Sequence, residues 1–482
     1  MISLVMPPGV KTGYSISYPP LGLLMIASVL EENGHSVEII DAPAEHLSID
    51  QTVKKIIKNN PSVVGISVHD ATRFESFLLA EEISKIDKSI TIVVGGPSAM
   101  FMSKQILLNC HSIDIVVRGE GEYTFLEIAD KKPLKTINGI TYRAKSGKII
   151  ENPPKEPIKN LDTLPFPARH LVDMNRYFEL ARKNEYHKRH PSTQVMYSRG
   201  CPNSCIYCTT PGIWGRTLRI RSAKNVVEEL LFLRDKYGVT DIKFFDDTFN
   251  ISKKWIYDFL KETKSNKLDI SFRCLARVSN ADKETLSLMK KCGCYFIEFG
   301  VESGSQRILN IINKNITINQ VKNAFENARK LGIFTKGFFM INLPHENSDD
   351  INLTKKLMLK LPMNDFSLSI CMLLPGSLLF NQTYSDNWFD RTKINSSYMQ
   401  NNVEIYNGQL SATELNEISR QINSEVYRSH MNEYIKILRD LRELSTVNAF
   451  TQSLINSLSP QIRGILKKLF IRNLNQGDSI EK

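Results

Sequence analysis

Three cysteines crowd into eight residues: Cys201, Cys205 and Cys208, spaced C-x3-C-x2-C within Ser198-Arg199-Gly200-Cys201-Pro202-Asn203-Ser204-Cys205-Ile206-Tyr207-Cys208. Thiolates are soft ligands that suit iron–sulfur clusters and zinc. A cubane cluster usually takes four cysteines. Three in one loop leave one iron without a protein ligand, so that iron can bind a substrate or cofactor directly. A structural zinc needs four ligands, and that reading requires His187 or His190 as the fourth. The other five cysteines, Cys110, Cys274, Cys292, Cys294 and Cys371, are scattered through 482 residues. That is unlike the dense disulfide framework of a small secreted domain. The opening MISLVMPPGV reads as a first strand rather than a secretory signal, so a reducing cytoplasm is expected.

Further chemistry-bearing groups recur downstream, each behind an apolar run. Asp246 and Asp247 end Phe244-Phe245-Asp246-Asp247-Thr248-Phe249. A carboxylate there suits an ammonium ligand, or else caps the next helix. Arg277 suits a carboxylate, or is an ordinary surface arginine. Glu302 and Ser303 lie in Phe299-Gly300-Val301-Glu302-Ser303-Gly304, and Pro375-Gly376-Ser377 forms a later turn.

The elements that must position these groups follow from periodicity. Strands are expected at 194–198, 241–245, 270–274, 295–299, 335–341 and 367–373, with helices between them. Six such units suggest a partial barrel, whose chemistry sits on the loops after the strands. Ser222 can cap a helix carrying the stripe Val226, Val227, Leu230 and Leu231. Upstream, strands at 2–6, 36–40, 62–67, 91–94 and 114–117 alternate with helices such as 21–32 and 74–86. That pattern is a doubly wound parallel sheet covered on both faces. Its ligand-binding carboxyl ends carry Pro7-Pro8-Gly9, Val68-His69-Asp70, Gly95-Gly96-Pro97 and Arg118-Gly119-Glu120-Gly121-Glu122. A hairpin at 137–151 leads into a linker rich in proline (Pro153, Pro154, Pro157, Pro165 and Pro167), where helix is disfavoured. The chain therefore divides into an α/β domain (1–135), a hairpin and linker (136–185), a partial barrel (186–380) and an irregular, then helical, basic region (381–482).

The net charge of +11 asks for an anionic partner. Nucleic acid is not expected, because no recognition motif appears and the charge is spread; a membrane surface or an anionic substrate fits as well. No apolar run is long enough to span a bilayer. Near the end, Ser459-Pro460 opens a helix with Ile462, Ile465, Leu466, Leu469 and Phe470 on one face and Arg463, Lys467, Lys468 and Arg472 on the rest. Such a helix either lies on an anionic membrane as a peripheral contact or packs on the barrel.

The cysteine loop, with aromatic Tyr207 before its last cysteine, resembles the signature of the radical S-adenosylmethionine (SAM) superfamily. The resemblance implies a [4Fe–4S] cluster on Cys201, Cys205 and Cys208. The methionine end of SAM would bind the fourth iron, and SAM would be cleaved to a 5′-deoxyadenosyl radical. It also implies SAM contacts at Tyr207, Asp246, Asp247, Arg277, Glu302 and Ser303, with Glu302 on the ribose. Relatives often read Gly-Leu-Pro-Gly-Glu after the fifth strand. Asn342-Leu343-Pro344-His345-Glu346 replaces both glycines here, which leaves the backbone path there open.

The first domain resembles the cobalamin-binding, flavodoxin-like domain of one large radical SAM subfamily. The matching runs are Tyr18-Pro19-Pro20-Leu21-Gly22, Val94-Gly95-Gly96-Pro97, Val117–Glu122 and Leu161-Asp162-Thr163-Leu164-Pro165-Phe166-Pro167. Cobalamin contacts implied are Pro20, Gly22, Gly95, Gly96, Gly119 and Glu120. No Asp-x-His-x-x-Gly follows the first strand, and His69 follows the third, so cobalt would lack a histidine ligand. A fold kept without corrinoid is the alternative. Methylthiotransferases place extra cluster cysteines in this domain, where only Cys110 is available. The expected activity is cobalamin-dependent methyl transfer to an unactivated carbon of a lipid or natural-product-like substrate, with flavodoxin or ferredoxin as reductant. A radical cyclase acting on hopanoid, tetraether lipid or tetrapyrrole, and a non-catalytic iron–sulfur or corrinoid sensor, are the alternatives.

Overall fold

The computed structural model describes residues 1–9, 17–383 and 410–441. The basic segment 459–472 lies outside the described residues.

The first sheet holds β1 (Ile2–Met6), β2 (Val37–Asp41), β3 (Val63–Ser67), β4 (Thr91–Gly95), β5 (Ile115–Val117), β6 (Ile140–Arg143) and β7 (Ile149–Glu151). Their order is β2-β1-β3-β4-β5-β6-β7. The first five are parallel, and the 2-1-3-4-5 order puts the topological switch point at β1 and β3. Alternate side chains feed two separate cores. Val5, Ile40, Val64, Ile66 and Val94 face one layer, with helix Arg73–Ile86. Ile2, Leu4, Val37, Ile39, Val63 and Val93 face the other, with helix Leu21–Glu32. The β6–β7 hairpin pairs antiparallel with β5 and so extends this sheet to Glu151.

The second sheet begins with β8 (Ser192–Val195). Two short strands follow, β9 (Ser198–Arg199) and β10 (Arg219–Ile220). Then come β11 (Asp241–Phe244), β12 (Ser271–Ala276), β13 (Cys294–Glu302), β14 (Phe334–Ile341) and β15 (Asp365–Ile370). The order β15-β14-β13-β12-β11-β8 is wholly parallel. The two outer strands do not pair, so the six-stranded barrel is partial. Along β14, Thr335, Gly337, Phe339 and Ile341 are buried toward the helices, while Lys336, Phe338 and Met340 are only half-buried and line the interior. Helix Ala223–Tyr237 starts where Ser222 accepts a hydrogen bond from the Asn225 N–H and stops at Gly238 in the left-handed region, φ 69°. These are the favoured cap residues for the two ends.

The two sheets are pinned together. Helix Leu378–Thr383 follows β15; Leu379 is buried in the barrel core and Phe380 in the core of the first sheet. The linker's Arg169 is fully buried, donating to Glu229 at 2.7 Å and to the Gln194 carbonyl at 2.8 Å. Helices Ala412–Ser429 and Met431–Leu441 close over β15, where the Tyr427 ring lies 4.4 Å from that of Phe366. Among the described residues no helix is long and apolar enough to cross a membrane.

Candidate active site

The cysteine loop leaves β8 at its carboxyl end, and the β9–β10 ladder pairs Arg199 with Arg219 to close its base. Gly200 makes that closure possible. Its φ is +98°, and a Cβ there would lie 2.3 Å from the Thr217 carbonyl oxygen, a distance no side chain tolerates. Further along, the Cys201 N–H donates to Gly215, and the Ile206 N–H donates to Ile312. Asn313 donates to Ser204 at 2.6 Å. The Cys201 and Cys205 thiols are buried and Cys208 is half-buried. Burial pushes the Cys208 thiol up, opposed by its hydrogen bonds to Thr210.

This donor set fits a cluster better than a single ion. It offers three soft thiolates from one short loop, and a cluster attaches each sulfur to a different iron. The zinc reading fails at its fourth ligand. His187 lies 2.9 Å from the Ala181 carbonyl and 3.8 Å from Asp241, the first residue of β11, and the His190 ring meets it edge-on at 4.8 Å. Both histidines thus sit at the amino end of the barrel, opposite the cysteines.

The expected SAM contacts divide into two groups. Asp246 is 1% exposed and accepts hydrogen bonds from the Tyr197 N–H, the Ser198 N–H and the Ser198 hydroxyl at 2.6–3.0 Å. Its carboxylate therefore ties the exit of β8 to that of β11, and burial raises its pKa to about 7. Asp247 is solvent-accessible and accepts from Thr210 at 2.9 Å, beside the cysteine loop. Of the pair, Asp247 is the one that faces the opening. Ser303 is fully buried, with its hydroxyl shared between Thr354 and the Ser305 N–H; it shapes the turn after β13 and has no exposed face.

Arg277 follows β12. Its Nη1 lies 4.0 Å from Cys205 Sγ, and its Nη2 is buried without a hydrogen-bond partner. An orphaned guanidinium nitrogen next to the cysteines is an open site for a carboxylate. Its backbone is fixed on both sides, because Asn250 accepts from the Arg277 N–H and donates to its carbonyl. Glu302 sits at a β-bulge with φ +71° and pairs with Lys314 at 2.6 Å. Lys314 also donates to the Tyr207 hydroxyl at 3.2 Å. This ladder links the β13 carboxylate to the cysteine loop. Lys314 carries no motif spacing, so sequence reasoning did not single it out.

The turn Asn342–Glu346 resolves the missing glycines. Asn342 has φ +65° and His345 φ +57°. Both hold the left-handed conformation glycine favours, and asparagine and histidine are enriched there among other residues. The turn thus takes the conformation glycine would favour without having glycine.

In the first domain, Gly96 has φ +107° and a Cβ there would lie 2.9 Å from the Val68 carbonyl, so it packs the loops after β3 and β4 together. Gly95 is half-buried in ordinary contact with Val117. The Pro20 carbonyl accepts from Leu24 in the first helical turn. Glu120 is already engaged: it pairs with Arg219 at 2.6 Å and accepts from the Ile158 N–H at 2.8 Å. Gly22 and Gly119 have nothing within 4 Å of a hypothetical Cβ, and such bare backbone lets a bulky ligand approach. The residues present thus fit a corrinoid through backbone rather than through Glu120.

Two interdomain contacts carry no sequence motif. Arg199, just before Gly200, pairs with Glu122 at 2.5 Å, and both side chains are buried. Phe101, beyond β4, presses into a notch where a Cβ on Gly212 or Gly376 would lie 2.8 or 2.2 Å from its ring. The loop after β4 therefore meets both the cysteine-bearing segment and the turn after β15.

Two family models match the chain. Residues 195–358 match the Radical SAM superfamily and residues 13–129 match the B12 binding domain. The chain is 35% identical to an uncharacterised methyltransferase of Pyrococcus horikoshii, over 80% of this chain and 83% of that one. The chain belongs to the cobalamin-binding radical SAM enzymes. A [4Fe–4S] cluster, SAM and cobalamin are the cofactors of this family. Another family member, the cytidylyl-2-hydroxyethylphosphonate methyltransferase of Streptomyces wedmorensis, is 31% identical over 67% of this chain and 69% of its own. The fold is shared with TsrM, a radical SAM methyltransferase from Kitasatospora setae solved with cobalamin and a [4Fe–4S] cluster. The TM-score is 0.65 at 18% identity, covering 78% of this chain and 73% of that one.

Proposed function

We propose that this enzyme transfers a methyl group from SAM, by way of cobalamin, to an unactivated carbon of a lipid or natural-product-like substrate. The observation that carries the reading is the Phe101 contact, which holds the loop after β4 against the mouth of the cysteine-bearing barrel. The methyltransferase names of its relatives in P. horikoshii and S. wedmorensis support it.

When bound, the cluster supplies the electron that cleaves SAM and the corrinoid carries the methyl group. Cys201, Cys205 and Cys208 hold the cluster. Arg277 receives the SAM carboxylate, Asp247 its ammonium, and Glu302, held by Lys314, its ribose hydroxyls. Gly22 and Gly119 offer backbone to the corrinoid. A small reductant such as flavodoxin or ferredoxin delivers the electron. Members named as anaerobic magnesium-protoporphyrin IX monomethyl ester cyclase, such as that of Rubrivivax gelatinosus at 28% identity, keep ring closure as the second reading.

The test is anaerobic reconstitution with methyl-labelled SAM, cobalamin and a reductant. Formation of both 5′-deoxyadenosine and S-adenosylhomocysteine is expected. Formation of 5′-deoxyadenosine with S-adenosylhomocysteine never appearing would refute methyl transfer and favour the cyclase.

A further inference from the structure

Four histidines lie in the first domain, and their places in the sheet separate them. His35 precedes β2 and pairs with Asp130 at 2.8 Å, and His111 precedes β5, so both sit at the amino ends of the strands. His46 follows the edge strand β2 and is exposed. His69 follows β3, one of the two strands at the switch point, just beyond Ser67 and Val68. Ligands bind at that place in a sheet of this order.

The strand carries its order through to this histidine. β1 and β3 run in register up to Val5 and Ile66. Beyond them, the Val68 N–H donates to the Gly95 carbonyl at 2.7 Å, and the Val68 carbonyl accepts from the Ser98 N–H at 3.4 Å. His69 keeps an extended backbone, φ −100° and ψ 155°, before the chain turns into helix Arg73–Ile86. Val64, Ile66 and Val68 are buried on the side of that helix, so alternation turns His69 to the other side of the sheet. That is the side of helix Leu21–Glu32, whose first turn holds Gly22. Gly119 follows β5 just before helix Glu122–Ala129, which packs in the same core as helix Leu21–Glu32. The histidine and the two bare glycines thus share one end and one face of the sheet.

The imidazole is free to bind. His69 is half-buried, its ring makes no hydrogen bond or ion pair among the described residues, and neither ring nitrogen is sealed in the core. Burial holds its pKa below the ordinary value, so at neutral pH the ring keeps a lone pair on one nitrogen. Neutral imidazole is a common ligand of first-row transition metals. A half-buried polar ring with no partner in the fold calls for one from outside it.

We propose that His69 coordinates the cobalt of bound cobalamin through a ring nitrogen, taking one axial position and leaving the opposite one for the methyl group. The proposal rests on the reading of the first domain as the corrinoid-carrying half. The missing Asp-x-His-x-x-Gly motif denies cobalt a histidine from the loop after β1 only. The sheet order sets the end of β3 beside the end of β1, so the neighbouring strand supplies the ring instead. The imidazole then stands where the cofactor's own benzimidazole base would otherwise bind.

The test uses anaerobically reconstituted enzyme loaded with cobalamin, held in the cobalt(II) state and read by electron paramagnetic resonance. Low-spin cobalt(II) keeps its unpaired electron in the orbital that points at the axial positions. A single axial nitrogen therefore splits each cobalt line into three for the common isotope and into two for the heavy one. Wild type should show the triplet, and protein grown on heavy-nitrogen histidine should show the doublet, which the cofactor's own base cannot produce. Labelled His69→Ala should lose the doublet at unchanged iron content, heavy-nitrogen imidazole should restore it, and labelled His46→Ala should keep it. The labelled wild type needs no substitution, so its result stands even where the alanine protein does not fold. Unsplit lines in wild type, a triplet unmoved by the label, or a doublet persisting in labelled His69→Ala would overturn the assignment alone. Wild type that takes up no corrinoid would overturn the reading of the first domain together with it.

Discussion

Arg277 illustrates what one side chain contributes when its backbone is fixed and its head group is not. Asn250 grips the main chain on both sides, and Nη2 is left without a partner beside the cysteines. Charge-assisted bonds of this type contribute about 1.5–3 kcal/mol. Arg277→Met should therefore weaken SAM binding by about tenfold or more while iron and sulfide content stay at the wild-type level, as measured by dialysis and metal assay. Equal SAM affinity in the two proteins would remove Arg277 from the site. The cysteines and this arginine were legible because their chemistry depends on residue type and on position after a strand. Asp246 and Asp247 could not be separated in the same way: adjacent residues point to opposite sides of a strand exit, and only the fold brings Tyr197 and Ser198 to donate to Asp246. Lys314 was invisible because it meets Glu302 and Tyr207 through folding, with no local spacing to mark it.

At the scale of elements, the strands and most helices followed from alternation and from caps such as Ser222 and Gly238. Two features did not. The bulge at Gly300–Glu302 breaks the period that sequence reading relies on, and the two-residue strands β9 and β10 are too short to carry a pattern. The Asn342–Glu346 turn shows a backbone demand outlasting its usual residues. A non-glycine residue in the left-handed region costs roughly 1 kcal/mol. His345→Gly should relieve that strain, offset by the greater entropy of glycine in the unfolded chain. The expected net change is a stabilisation of about 0.5 kcal/mol in denaturant unfolding. A loss of more than about 1 kcal/mol would mean that the imidazole itself holds the turn.

For the whole molecule, the decisive contacts join the two sheets. Arg199 precedes the cysteine loop and pairs with Glu122 at the start of the helix after β5, with Glu120 also 3.5 Å away. Removing one partner of a buried pair strands the other, at about 3–5 kcal/mol. Arg199→Met should thus lower stability by that order and impair cluster retention. The double variant Arg199→Met/Glu122→Gln should recover part of the loss, because it no longer buries the Glu122 charge unpaired. Additive losses in the two variants would show that the pair does not couple the sheets. No sequence pattern announces such contacts, since their partners lie 77 residues apart in the chain.

The short helix after β15 sends one side chain into each core, Leu379 inward and Phe380 outward. Like a rivet through two plates, it joins the half that resembles corrinoid-binding domains to the half that carries the cysteines. Any hinging of one half against the other must first draw one of these two side chains out of its core, at the cost of re-exposing a buried apolar surface.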